Sequence, residues 1–195
     1  MSEPVMPSDK STSPEGLISD IKKQQSSSGG APVHLWNPPF LGDLDMRISR
    51  SGEWFYENSP ISRIQIVKLF STVLKREEDD YYLVTPVEKW RISVEDAPFV
   101  AVLLESEDEG DSQTLMFSTN VGEEVVAGPD NPIRVDYDAV TGEPKPYLFV
   151  RDRLEALISR NVFYQLVELA EQRVMDGKTV LGVNSGGEFF SLGEL

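Results

Sequence analysis

Apolar residues recur along this chain with two periods, and the change from one to the other marks its elements. Through "TPVEKWRISVEDAPFV" (85–100) they alternate, so in an extended chain Trp90, Ile92 and Val94 share one face while Lys89, Arg91 and Glu95 share the other. This predicts a strand with one face on a core and one charged face, which either meets water or lines a site. The same reading gives two strands in "DDYYLVTPVEKWRISVE" and a hairpin in "DMRISRSGEWFYEN" turning near Ser51-Gly52. A second hairpin with a long acidic loop follows in "PFVAVLLESEDEGDSQTLMFSTN", then short strands at "EEVVAG" and "IRVDYD", a strand at "PYLFV" and a closing hairpin in "TVLGVNSGGEFFSL".

Helical spacing occurs in three places. "LISDIKKQQ" (17–25) sets Leu17, Ile18 and Ile21 on one side, and "SSSGG" ends it. "SPISRIQIVKLFSTVLKR" offers Ser59 as a cap, Pro60 for the first turn, Ser62 and Gln65 at capping-box spacing, and a stripe of Ile66, Leu69, Phe70 and Val73. "LEALISRNVFYQLVELAEQRV" reads as a third helical stretch. Between the first two, "APVHLWNPPF" is extended and proline-rich, with Trp36 and Phe40 pinning it to a domain.

The halves resemble each other. Ile61-Ser62-Arg63 aligns with Ile158-Ser159-Arg160, which sets Ile66 on Phe163, Val67 on Tyr164, Leu69 on Leu166 and Phe70 on Val167. Strands "EWFY" and "YLFV" precede the two helices and hairpins follow them. Ile48-Ser49-Arg50 is a third copy of the tripeptide without a helix after it, so the order of elements carries the argument. The expected fold is α+β, with two subdomains from a diverged duplication of a strand-helix-strand-strand unit. The expected organisation is a floppy tail at 1–16, poor in apolar residues, a short helix and linker at 17–31, an N-terminal α+β subdomain at 32–104 and a C-terminal subdomain at 105–193.

Composition narrows the function classes. The 195 residues are 39% hydrophobic and 26% charged, as in globular chains. With 18 basic against 33 acidic residues the net charge is -15, which argues against nucleic-acid polymers as partners but leaves room for a small anion held by local arginines. No apolar run approaches the length of a membrane span and no secretory leader is evident, so no membrane partner and a cytoplasmic location are expected. There is no cysteine, and His34 is the single histidine.

Those absences argue against most catalysis. Nucleophilic serine chemistry wants a histidine beside its serine, and His34 lies in the proline-rich lead-in. Ser185 in "VNSGG" lacks the glycine two residues earlier that a nucleophile elbow has. "ESEDEGDSQ" gathers Glu107, Asp108, Glu109 and Asp111 without the spacing of a calcium loop, so it reads as a solvated hairpin tip rather than a metal site. What remains is polar chemistry near the repeats. Arg63 and Arg160 hold equivalent places at the two helices, where their forks suit phosphate or carboxylate, or else tie each helix to Glu57 or Glu155. Asp96, just before Ala97-Pro98, suits a turn held by backbone hydrogen bonds.

The stretches "GEWFYENSPISR", "LVTPVEKWRISVEDAPFV" and "VRDRLEALISRNVFYQLVELAE" with "SGGEFFSLG" resemble the bacterial domain-of-unknown-function family numbered 1285, over residues 32 to 193. One departure is Ser51-Gly52 where Asp-Gly is the family's pattern, which touches only a turn. The resemblance implies a duplicated α+β core whose C-terminal subdomain looks superficially like a pleckstrin-homology fold. It also implies a nucleotide-like ligand at the subdomain interface and a role in bacterial signalling. No catalytic residues carry over, but the motifs favour Arg91, Glu95, Asp96, Arg151, Glu155 and Arg160 as facing that interface.

Three hypotheses follow. The preferred one is a non-catalytic ligand-binding or signalling module whose small anion is held by Arg63, Lys89, Arg91, Arg151 and Arg160, with Trp54, Tyr56 or Trp90 stacking on a base. The second is a protein-interaction module without a small ligand, using exposed strand edges and an acidic surface suited to a basic partner. The third, an enzyme with Glu95 or Asp96 as general base, is the least favoured.

Overall fold

The computed structural model describes residues 14–24 and 31–195, so residues 1–13 of the expected tail and 25–30 of the expected linker lie outside the described residues. The chain is mixed α and β, mostly β, and forms two compact units, Met1–Arg47 with Trp54–Ser93 and Ile48–Glu53 with Val94–Leu195.

In unit 1, helix α1 (Pro14–Gln24) precedes strands β1 (Phe40–Ile48), β2 (Trp54–Tyr56) and β3 (Ser59–Pro60), helix α2 (Ile64–Ser71), and strands β4 (Leu74–Glu77), β5 (Asp80–Val84) and β6 (Lys89–Val94). The strands form one six-stranded sheet in the order β3-β2-β1-β6-β5-β4. Strand β1 buries Leu44, Met46 and Ile48 and leaves the polar residues between them outside. Helix α2 presses Val67, Leu69 and Phe70 into the same core, and α1 adds Leu17 and Ile21, one helical turn apart.

In unit 2, strands β7 (Phe99–Glu107), β8 (Thr114–Thr119), β9 (Glu124–Val126), β10 (Ile133–Tyr137), β11 (Pro144–Arg151) and β12 (Leu154–Ile158) build a second six-stranded sheet in the order β10-β11-β12-β7-β8-β9. Its central pair is parallel, with Ala156, Leu157 and Ile158 opposite Phe99, Val100 and Ala101. Helix α3 (Arg160–Leu169) follows, then strands β13 (Glu171–Met175), β14 (Lys178–Ser185) and β15 (Glu188–Glu194) as a separate three-stranded antiparallel sheet.

The two six-stranded sheets are consistent with a duplication, and the order of elements strengthens it. Each unit has a hairpin turned by two left-handed residues, Glu57-Asn58 and Asp152-Arg153, then a helix, then a three-stranded meander. The helix alignment holds at Leu69 and Leu166, both buried. It fails at Val67 against Tyr164 and Phe70 against Val167, because α3 buries only the Val162–Leu166 side.

Several expectations need correction. Ser59 and Pro60 form β3 rather than a helix start, and α2 begins at Ile64 after Arg63 with no side-chain cap. The third helical stretch is a strand, a helix and a strand in succession, namely β12, α3 and β13. The expected tail ends early because α1 starts at Pro14, and the expected boundary at 104/105 falls inside β7, whose first residues are held by β12.

Candidate functional site

The three Ile-Ser-Arg tripeptides have a structural meaning that two of them share closely. Ile48 ends β1 and Ile158 ends β12, each buried; the serine leaves the strand, and the arginine reaches solvent. Within unit 2 these arginines, Arg50 and Arg160, line one cleft of about 450 Å³, with Asp96, Lys145, Phe163 and Tyr164 among its other walls.

Each part of this cleft is held from behind. The loop carrying Arg50 turns at Gly52 (φ 82°), where a Cβ would meet Asn120 Nδ2 at 2.5 Å. Asn120 donates to the Gly52 carbonyl (3.1 Å) and accepts from the Val100 amide (3.0 Å). The Arg50 amide donates to Glu95 Oε2 (3.1 Å), while its guanidinium stands 3.5 Å from Asp96 Oδ2. The Tyr147 hydroxyl donates to the other Asp96 oxygen at 2.7 Å. Ser159, just before α3, is tied through its amide to the Ala101 carbonyl (3.0 Å), which sets where Arg160 emerges.

Electrostatically the cleft is mixed. Lys145 pairs with Asp138 (2.8 Å), and that lysine with the Thr141 and Val140 amides holds the Asp138 carboxyl below its usual range. Arg160 has no hydrogen bond or ion pair among the described residues, although it lines a space large enough for a small molecule.

Tyr147 connects the cleft to a second cluster. Arg134 lies over its ring at 4.3 Å and donates to Glu155 through Nε (2.6 Å) and Nη2 (2.8 Å), with Asp136 also in contact. Burial, then the hydrogen bond to Asp96, pushes the Tyr147 phenol above the ordinary tyrosine range. The folded state therefore keeps a proton that the unfolded chain loses above about pH 10, so this contribution is complete at lower pH and declines as pH rises. Urea denaturation between about pH 9 and 11 should show stability falling more steeply in the native protein than in Tyr147→Phe, by up to about 1.4 kcal/mol per pH unit. Parallel curves would refute the assignment.

The other expected site residues are placed as follows. Lys89 and Arg91 belong to unit 1, where Lys89 donates to Glu77 (2.7 Å) and Arg91 grips Asp43 through two bonds (2.6 and 3.1 Å). Their strand face is a closed ion-pair network over the Phe40–Tyr82 edge contact. Arg63 is exposed before α2 in the same unit. Arg151 is taken by Glu123 (2.9 Å) and Glu155 by Arg134. Of the eight candidates, then, Asp96 and Arg160 share the cleft, and Glu95 braces it.

The stacking expectation fails for both tryptophans. Trp54 is 2% exposed and stacked on Phe70, and Trp90 is 7% exposed in the core of the unit. Tyr56 is half-buried in β2. Sequence reasoning missed Arg50, Lys145, Tyr147, Phe163 and Tyr164; the one available signal was the recurrence of Ile-Ser-Arg without a helix at 48–50.

Among the described residues no cluster of His, Cys, Asp and Glu is suited to a metal ion, and no helix is long and apolar enough to cross a membrane. Two family models match: the N-terminal domain of DUF1285, a domain of unknown function, at residues 31–97, and the DUF1285 C-terminal domain, from a protein of unknown function, at residues 98–192. Two crystal structures are similar. A DUF1285 family protein from Silicibacter pomeroyi DSS-3 is 54% identical over 92% of this chain and 95% of its own, with a TM-score of 0.82. Another from Shewanella baltica OS155 is 28% identical over 64% of this chain and 91% of its own, with a TM-score of 0.52. No curated protein matches the chain.

Proposed function

The chain belongs to the DUF1285 family, and on that premise we propose that it is a non-catalytic bacterial module that binds a small, nucleotide-like anion in the unit 2 cleft and serves cytoplasmic signalling. The observation that carries this reading is the meeting of Arg50 and Arg160 in a space of about 450 Å³, with Arg160 unengaged. A guanidinium without a carboxylate partner is available to a phosphate or carboxylate, and two forks grip such a group with direction as well as charge. Phe163 and Tyr164 supply apolar and aromatic wall for a base.

The reading keeps the anion expected from the sequence and moves its holders. Lys89, Arg91 and Arg151 would each have to surrender a carboxylate first, whereas Arg160 surrenders nothing. Unit 2, with its two sheets and a single helix, is taken as the pleckstrin-homology-like scaffold of the module.

The test is a thermal-shift series with inorganic phosphate, mononucleotides and cyclic dinucleotides. A ligand at a hundredfold its Kd adds about 2.7 kcal/mol to the folded state. Arg160→Ala, at an exposed position, is expected to leave ligand-free stability within about 0.5 kcal/mol and to weaken binding by about tenfold to a hundredfold. A shift that survives both Arg160→Ala and Arg50→Ala would place binding elsewhere. A second reading, protein interaction without a small ligand, draws on the outer edge of β13, where Val174 and Met175 are exposed. It gains if every compound leaves the melting temperature unchanged.

A further inference from the structure

The unit 2 cleft offers more hydrogen-bond donors than free charge. Among the described residues three cations line it, Arg50, Lys145 and Arg160, and the first two each have a carboxylate beside them. Lys145 is paired with Asp138 at 2.8 Å, and Arg50 turns its Nε edge to Asp96 Oδ2 at 3.5 Å. Arg160 makes no ion pair among the described residues, and neither does Glu143, an exposed carboxylate lining the same space. An incoming anion therefore meets one uncompensated cation, Arg160, and two acids, Asp96 and Glu143.

Asp96 sets this balance, and it is held where it stands. Its side chain is 13% exposed against 66% for that of Arg50, so the acid belongs to the wall while the arginine is largely in solvent. The Tyr147 hydroxyl donates to Asp96 Oδ1 at 2.7 Å, from a ring that Arg134 covers at 4.3 Å, and Oδ2 is left to face Arg50. The Arg50 backbone is fixed in turn by its amide's bond to Glu95. The two Nη groups of Arg50 make no hydrogen bond among the described residues, so Arg50 can still donate to a ligand although its charge is already answered.

That arrangement decides which anion the cleft suits. The hydration an anion gives up on entering a protein grows with the square of its charge, and only uncompensated cations offset it. One free guanidinium answers one negative charge. A second negative charge finds Asp96 and Glu143 on the walls instead of another free cation. Two like unit charges about 10 Å apart, at an effective dielectric constant near 20, repel strongly enough to change an affinity about tenfold.

We propose that the cleft takes a phosphodiester, with one charge, and turns away phosphomonoesters, with two, and that Asp96 is the residue that determines this specificity. The inference rests on the anion-binding reading above and narrows its ligand class. A nucleotide whose phosphate is esterified on both sides fits, because Arg160 answers its single charge while Arg50 adds hydrogen bonds without adding net charge. A nucleotide ending in a free phosphate would bind well only if Arg50 gave up Asp96, and Tyr147 keeps that acid in place.

The experiment follows the Arg50 and Arg160 Nε–H signals by nuclear magnetic resonance while the full chain is titrated with phenyl sulfate, methyl phenyl phosphate and phenyl phosphate. All three carry the same ring; at about pH 8 the first two have one charge and the third has two. The singly charged pair should bind the native protein about tenfold more tightly than phenyl phosphate does. Asp96→Asn, whose amide oxygen still accepts from Tyr147, leaves Arg50 uncompensated and should tighten phenyl phosphate about tenfold while moving the other two less. A merely structural role for Asp96 would move all three alike. Native protein that binds phenyl phosphate at least as tightly as the others, or a ratio unchanged in Asp96→Asn, overturns the inference and leaves the anion reading standing. No response at Arg160 up to tens of millimolar overturns that reading, and the inference with it. Should the asparagine variant fold poorly, the native ratio decides. A last comparison sets a cyclic mononucleotide against glycerophosphoglycerol, a lipid headgroup with the same diester: the nucleotide should bind more tightly through Tyr164 and Phe163, and the reverse order would overturn the nucleotide as the source of the diester.

Discussion

Replacing Trp54 by alanine is expected to cost unit 1 about 3–5 kcal/mol and to leave anion binding by the folded protein unchanged. Trp54 points from β2 into the core, with its ring 6.1 Å from that of Phe70 at an interplanar angle of 19°. It joins the sheet to α2 through Phe70, and alanine would leave a cavity too wide for its neighbours to fill. The indole Nε1–H has no partner among the described residues, so Trp54→Phe removes a buried unsatisfied donor along with some volume. The phenylalanine variant should therefore sit within about 1 kcal/mol of the native protein. Urea denaturation followed by circular dichroism measures both. If Trp54→Ala proved nearly neutral in stability and abolished ligand shifts, the residue would be a stacking platform after all.

Local alternation made the strands legible, and what escaped depended on distant partners. The β5–β6 hairpin, the β7–β8 hairpin and the β14–β15 hairpin all follow from patterns inside the segments themselves. Strand β12 did not, although its burial alternates strictly through Leu154, Ala156 and Ile158. Leu, Ala and Glu are strong helix formers, and only the parallel pairing with β7, more than fifty residues away, overrides that preference. The same pairing moved the unit boundary upstream of 104/105.

The candidate site followed the same rule. Alternation marks Lys89 and Arg91 as one charged face, but Arg91 is closed by Asp43, 48 residues earlier, and no local pattern announces that partner. Arg50 is the converse case. Its tripeptide recurs without a helix after it, because the physical content of Ile-Ser-Arg at 48–50 is a buried strand end followed by an exposed guanidinium. Ile48 and Ile158 each end a strand in that way, and only the fold of unit 2 brings the two arginines to one cleft.

The "VNSGG" stretch, the closest the sequence comes to a nucleophile, supports the second large prediction. Ser185 is fully buried, and its hydroxyl accepts from the Leu115 amide and donates to the Ala127 carbonyl, both at 2.8 Å. Next to it, Gln113 Nε2 donates to the Asn184 carbonyl (3.1 Å), and the Gly186 amide donates to the Gln113 carbonyl (3.2 Å). These bonds fasten the end of β14 to β8 and to the residue after β9, joining the small sheet of unit 2 to the large one. Ser185→Ala strands one amide and one carbonyl in the interior, so a loss of about 2–4 kcal/mol is expected. Exchange protection at Leu115 should fall along with global stability. A variant within about 0.5 kcal/mol of the native protein would mean that water or a shifted backbone replaces the hydroxyl, and that the two sheets are held by their apolar contacts alone.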